Sequence, residues 1–181
     1  MFKIILLLIS FNLYAESLPN GQLKSLDKKK IDLHDMIDSS YTVINFWFLA
    51  CEPCKKEMVY LSDFNLKYSK YGFKVLSVNT DNSRTLNKVK PFVNSQNYSF
   101  PVLLDPKSLF FRKVGAKVCP YLLVINDKGE IINRHSGYNP GDEIKLEQEI
   151  VSMMYSEISS DTTLTDSSII NILNIIKPSN R

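Results

Sequence analysis

Charge of one sign is in short supply. Against 22 Lys and Arg stand 19 Asp and Glu, a net charge of +3 across 181 residues. The only basic run is Lys28-Lys29-Lys30. An excess this small and dispersed excludes the basic footprint of a nucleic-acid binder and suits a solvated hairpin turn. Histidine is also scarce. His34 and His135 have no second ligand at helix or strand spacing. They are therefore expected at the surface or as satisfied core residues, and no metal centre is expected. Internal repeats are absent. The one long apolar stretch, Ile4 to Leu13, is shorter than the ~20 residues of a membrane span. No cysteine directly follows it, so a lipid-modified bacterial N-terminus is not expected.

What is there fits one exported domain. Lys3, the apolar stretch and Leu13-Tyr14-Ala15 make residues 1–15 an expected signal peptide cut before Glu16. An uncleaved N-terminal anchor is the lesser alternative. A hydrophobic content of 44% and a charged content of 23% are ordinary for a soluble domain, and the length supplies a real core. The expected division is a domain over 16–158 and a linker and tail over 159–181. Ser156 to Ser168 is rich in Ser, Thr and Asp, and Ile169 to Ile176 is a short apolar segment beyond it.

Three cysteines are too few for a disulfide framework, so each needs its own account. The near-continuous apolar run Tyr41 to Phe48 predicts a strand buried on both faces. It leads through Leu49-Ala50 into Cys51-Glu52-Pro53-Cys54, after which Met58, Leu61, Phe64 and Tyr68 recur at helical spacing. A helix start leaves free N–H groups and partial positive charge beside the first sulfur, and both stabilise a thiolate. Closing so short a loop restrains the unfolded chain little, so the pair is a poor staple. Redox chemistry accounts for it better than half a metal site, which has the same spacing.

The remaining pattern is α/β. A hairpin is expected over Gln22–Leu26 and Lys30–Leu33, and a helix from Pro53 to about Tyr71 closed by Gly72. A strand follows over Phe73–Asn79, then a helix over Ser83–Ser95 kinked or broken at Pro91. A strand is expected over Phe100–Leu104 and a helical turn over Leu109–Val114. Strands Tyr121–Ile125 and Glu130–Arg134 flank the turn at Asn126–Gly129. A last helix runs from Pro140-Gly141-Asp142 to about Ile158. Strands separated by helices indicate a layered mixed sheet.

With Asn45-Phe46-Trp47, Cys51-Glu52-Pro53-Cys54, Lys55-Lys56-Glu57-Met58, the segment Phe100 to Asp105 and the run Pro120 to Gly129, the chain resembles the TlpA/ResA/CcmG-like exported thiol–disulfide oxidoreductases. The resemblance covers about Leu18 to Ile158. It implies a thioredoxin fold: a mixed central sheet flanked by helices, with an N-terminal hairpin and a central insertion. It implies Cys51 as nucleophile and Cys54 as resolving thiol, with no cofactor. It makes Pro120 a cis-proline beside the dithiol, with Cys119 offering backbone hydrogen bonds to a substrate chain. Glu52 and Pro53 would tune the thiolate. Asn45 stands where classical thioredoxins carry a buried Asp, so an acid serving Cys54 must come from elsewhere. Asp81 is the candidate in the insertion, against the plainer account of a solvated turn residue or helix cap. Trp47 is expected in the core. Cys119 is expected to pack beside the site as a small hydrophobe, with a competing disulfide or a three-thiolate metal pocket as alternatives.

The expected function is reduction of disulfides in secreted proteins or apocytochrome c by a periplasmic monomer. A membrane thiol carrier would supply the electrons. Two other functions compete. A thiol peroxidase shares the fold, but the Pro-x-x-x-Thr-x-x-Cys context is missing before Cys51. A Cu(I) chaperone would use thiolates, but a Cys-x-x-x-Cys spacing is missing.

Overall fold

A computed structural model of the protein describes residues 16–38 and 41–160. The expected signal peptide and the tail beyond Ser160 lie outside the described residues. The described chain forms an eight-stranded sheet in the order β1-β8-β7-β4-β5-β6-β2-β3. The strands are β1 (Glu16–Ser17), β2 (Gln22–Ser25), β3 (Lys30–Asp32), β4 (Tyr41–Trp47), β5 (Phe73–Asn79), β6 (Val102–Leu104), β7 (Tyr121–Asn126) and β8 (Glu130–Ser136). The helices are α1 (Glu52–Tyr68), α2 (Leu86–Gln96), α3 (Leu109–Lys113) and α4 (Asp142–Ser160). β4, β5 and β6 are parallel, and β7, β8 and the β2–β3 hairpin join antiparallel. This is the thioredoxin fold with a mixed sheet and an added N-terminal hairpin.

Alternation along β4 explains why it lies at the centre. Val43 and Trp47 point to one face, packed under α1 and α4. Ile44 and Phe46 point to the other, packed against Phe110 and Val114 of the α3 region. Both faces are covered, so the strand is apolar throughout. On α1, Met58, Leu61, Phe64 and Tyr68 form the buried stripe. Gly72, at φ 82°, turns the chain out of the following short 3₁₀ segment, as the sequence predicts. α4 docks on α1 through Leu146, Ile150 and Met154. The Tyr68 hydroxyl and the Lys67 ammonium both donate to Glu147 Oε1, at 2.7 and 2.9 Å.

Four expectations about local structure are corrected. α2 starts at Leu86 rather than Ser83 and contains Pro91 without ending there. The carbonyl that would have bonded Pro91 belongs to the exposed Asn87, where water can serve it. β6 begins after Pro101, which has no N–H for the ladder. α4 runs to Ser160, two residues past the expected end at about Ile158 and into the stretch expected to be a linker. Glu16–Ser17, not expected as a strand, pairs antiparallel with Ile131 and Glu130 at the sheet edge.

Parallel strands end at the same side, and this side holds the chemistry. Trp47 is level with Asn79, Asn79 with Leu104, and Leu104 with Lys24. These four residues make one row across the sheet, next to the loop that leads into α1.

Candidate active site

Cys51 and Cys54 are joined in a disulfide, with their Cα atoms 5.3 Å apart. Cys51 is the N-cap of α1, in extended conformation at φ −87° and ψ 94°. Its Sγ accepts the backbone N–H of Cys54 at 3.3 Å. A sulfur in the N-cap position takes the place of a capping oxygen. After reduction the same N–H and the helix dipole favour negative charge on that sulfur. Glu52 and Pro53 occupy the first two helical positions, where a missing proline N–H costs nothing. Cys51 is 5% exposed and Cys54 0%, the order expected for attacking and resolving thiols.

The loop before Cys51 is tied down residue by residue. The Trp47 carbonyl accepts the Thr80 N–H at 2.8 Å and the Thr80 hydroxyl at 3.1 Å. The Cys51 N–H donates to the Phe48 carbonyl at 3.0 Å. The Leu49 N–H donates to Asp81 Oδ2 at 2.7 Å. Asp81 Oδ2 also accepts from Asn79 Nδ2 at 2.9 Å, and Oδ1 accepts from the Thr85 hydroxyl at 2.6 Å. Asp81 is therefore neither solvated, at 7% exposure, nor the cap of α2, which is Thr85. Its carboxylate joins the rim of the dithiol, the end of β5 and the entry to α2.

Glu52 is a surface charge. It pairs with Lys55 at 2.7 Å, and Lys55 lies over the Phe92 ring. Phe92 in turn packs on Trp47, which is fully buried as expected. The Cys119–Pro120 peptide is cis, as the resemblance implies. Phe46 is level with Tyr121, so Pro120 follows at the level of Trp47, at the dithiol end of the sheet. Cys119 is a free, half-buried thiol packed against the cluster that contains Cys51 and Cys54. Burial pushes its pKa up to about 11; a hydrogen bond with Thr80 pulls the other way, and the Glu57 charge adds to the rise. Phe48 and Val118 leave apolar surface at the rim, 37% and 53% exposed.

Glu57 escapes the sequence argument. It lies three residues after Cys54 on the buried face of α1 and is only 6% exposed. Burial, and secondarily the Asp142 carboxylate, push its pKa up to about 8. Among the described residues its Oε2 has no hydrogen-bond partner, and neither does the side-chain amide of buried Asn45. Asn45 is level with Leu122, which shares with Glu57 the wall of a cavity of about 360 Å³. Tyr60, Tyr138 and Glu143 also line it. The available signal was an acid on an apolar helical stripe, one turn beyond a reactive cysteine. Among the described residues no three His, Cys, Asp or Glu side chains cluster as a metal site.

A redox-active disulfide at a helix N-cap, level with a cis-proline on a thioredoxin sheet, defines the class of thiol–disulfide oxidoreductases. Comparison with known proteins agrees. Residues 14–150 match the Redoxin family, and the chain belongs to it. Within it the similarity is to the TlpA/ResA/CcmG-like group. The thiol–disulfide oxidoreductase ResA of Bacillus thuringiensis is 28% identical over 162 residues, covering 80% of this chain and 92% of that protein. ResA of Bacillus subtilis is 27% identical over 160 residues, covering 88% and 74%. A crystal structure described as a putative thiol:disulfide interchange protein DsbE from Chlorobium tepidum superposes with a TM-score of 0.71 at 27% identity. It covers 77% of this chain and 96% of that one.

Proposed function

We propose that the protein works outside the cytoplasm as a reductant of disulfides in secreted proteins, apocytochrome c among them, with electrons from a membrane thiol carrier. The observation that carries this is the Cys51–Cys54 disulfide capping α1. The carrier's thiolate attacks the disulfide and is itself oxidised, leaving both thiols reduced. Cys51 thiolate then attacks one sulfur of the substrate disulfide. A Cys51–substrate disulfide forms and one substrate thiolate leaves. Cys54 loses its proton and attacks Cys51 Sγ. The second substrate thiolate leaves and the internal disulfide returns.

Glu57 is the acceptor for the Cys54 proton in this scheme. With its pKa pushed up to about 8, the carboxyl is ionised in part at neutral pH, and that ionised fraction is a strong enough base to take a thiol proton. Asp81 acts as a positioning residue, because its carboxylate already accepts three hydrogen bonds. Cys119 remains protonated at neutral pH and does not compete with Cys54. Its backbone receives the substrate chain beside Pro120. Glu52 and Pro53 shape the helix start next to the thiolate.

Insulin reduction coupled to a thiol donor tests the activity. Turnover that needs both Cys51 and Cys54 is expected. Peroxide consumption through Cys51 without disulfide exchange would replace this scheme with a thiol peroxidase. A mature protein beginning near Glu16, found by intact mass, is expected for the exported form.

A further inference from the structure

A second concave surface lies at the dithiol end of the sheet, three strands away from Cys51. It is a groove of about 580 Å³ between the β2–β3 turn, the start of α2 and the end of β6. Its floor is apolar, made by Leu26, Val89, Leu104 and Pro106. Its rim is cationic, made by the exposed residues Lys24, Lys28 and Lys90. Lys29 and Lys30 extend the same turn and are also exposed. Among the described residues Lys24 and Lys28 have no ion pair, and Asp27 is paired to Lys90 at 2.7 Å. That pair is more than half exposed on both sides, so it opens at little cost.

We infer that this groove holds an acidic, leucine- or isoleucine-bearing segment of the protein substrate while Cys51 acts on its disulfide. The inference rests on the oxidoreductase function proposed above and names the kind of substrate. Charge complementarity selects the occupant: an apolar side chain fills the floor, and flanking carboxylates meet the lysines. The row Trp47–Asn79–Leu104–Lys24 sets the reach. Three strand spacings of ~4.8 Å place Lys24 about 14 Å from Trp47. An extended chain covers that in about five residues. The acidic segment therefore lies about five to eight residues from the reacting cysteine. The groove is also joined to the rim. Leu86 of its wall follows Thr85, whose hydroxyl bonds Asp81, which holds Leu49.

The test uses the full reduced chain and peptides carrying a glutathione mixed disulfide. One peptide has an Asp/Glu-Leu segment six residues from its cysteine; the other has Ser/Gln in place of the acids. At low salt the acidic peptide is expected to react about tenfold faster, from several modest surface charge contacts acting together. In 0.5 M salt the ratio should fall below about twofold. The Lys24→Gln/Lys28→Gln/Lys90→Gln variant should lose the preference at low salt. The Lys24→Glu/Lys28→Glu/Lys90→Glu variant should invert it toward a Lys-flanked peptide. Equal rates for the two peptides in the unaltered protein would overturn the groove while leaving the oxidoreductase intact. Absence of reaction with either peptide would instead remove the function on which the groove depends. Binding of phosphatidylglycerol vesicles through these lysines, without peptide preference, would assign the groove to a lipid surface and reject the substrate segment.

Discussion

The Leu49 N–H donates to Asp81 Oδ2 at 2.7 Å, so the loop that presents Cys51 is held by a buried carboxylate from the loop just after the neighbouring strand β5. Thirty-two residues separate the two, and only the parallel pairing of β4 with β5 brings them together.

Removing that carboxylate should be costly in two ways. Asp81→Ala leaves the Leu49 N–H, the Asn79 amide and the Thr85 hydroxyl without their acceptor. A loss of roughly 1–3 kcal/mol is expected in denaturant unfolding. Asp81→Asn keeps an acceptor for Leu49 and should recover more than half of that loss. Both variants should change the Cys51–Cys54 reduction potential, measured against glutathione. An unchanged potential in the folded variants would limit Asp81 to a stabilising role.

Glu57 makes stability depend on pH. Its folded pKa of about 8 lies above the ordinary value of 4.5, so the folded state holds the extra proton between those limits. Stability from this group is complete below pH 4.5 and is lost as pH rises through 8. Glu57→Gln should flatten that decline. Relative to the parent, it should gain about 3 kcal/mol more at pH 8.5 than at pH 5.5 in urea unfolding. The same variant should slow closure of the Cys51 mixed disulfide by about tenfold or more at pH 7. Closure at the parental rate would remove Glu57 from proton transfer.

Cys54→Ser should accumulate mixed disulfides through Cys51, because the thiol that releases them is gone. Mass spectrometry of the trapped species locates the bond. In the reduced parent, alkylation at pH 7 should mark Cys51 well before Cys54. Mixed disulfides that accumulate through Cys54 in Cys51→Ser but not through Cys51 in Cys54→Ser, or faster alkylation of Cys54 in the reduced parent, would reverse the assignment.

Cys119 should be a slow thiol. With its pKa pushed up to about 11, iodoacetamide labelling of the oxidised protein should still be accelerating at pH 10. Cys119→Thr should retain exchange through Cys51 and Cys54 and change the preference among peptide substrates. Loss of all exchange in a folded Cys119→Thr protein would make the site one of three cysteines.

Much was legible along the chain because it is local. The helix start after Cys51 follows from Pro53 and the stripe Met58, Leu61, Phe64 and Tyr68. The buried strand before it follows from seven residues with no exposed face. Local periodicity misplaced ends, at Leu86, Val102 and Ser160, and missed the edge strand Glu16–Ser17, whose partner Glu130–Ile131 is more than a hundred residues away. Chemistry assigned to residue types was less secure. Asp81, an acid near the site, is occupied by three donors, whereas Glu57 sits buried with an oxygen unpartnered among the described residues.

By itself the sequence determined that a dithiol caps a helix, because strand, Cys-x-x-Cys and helical stripe are contiguous and their geometry depends on a few backbone torsions. The tertiary structure alone decided which carboxyl is dry, which clasps the rim and which lysines surround a groove. Those properties come from strand register and helix docking between segments tens of residues apart, and burial, which sets a carboxyl's affinity for its proton, has no value until those segments meet.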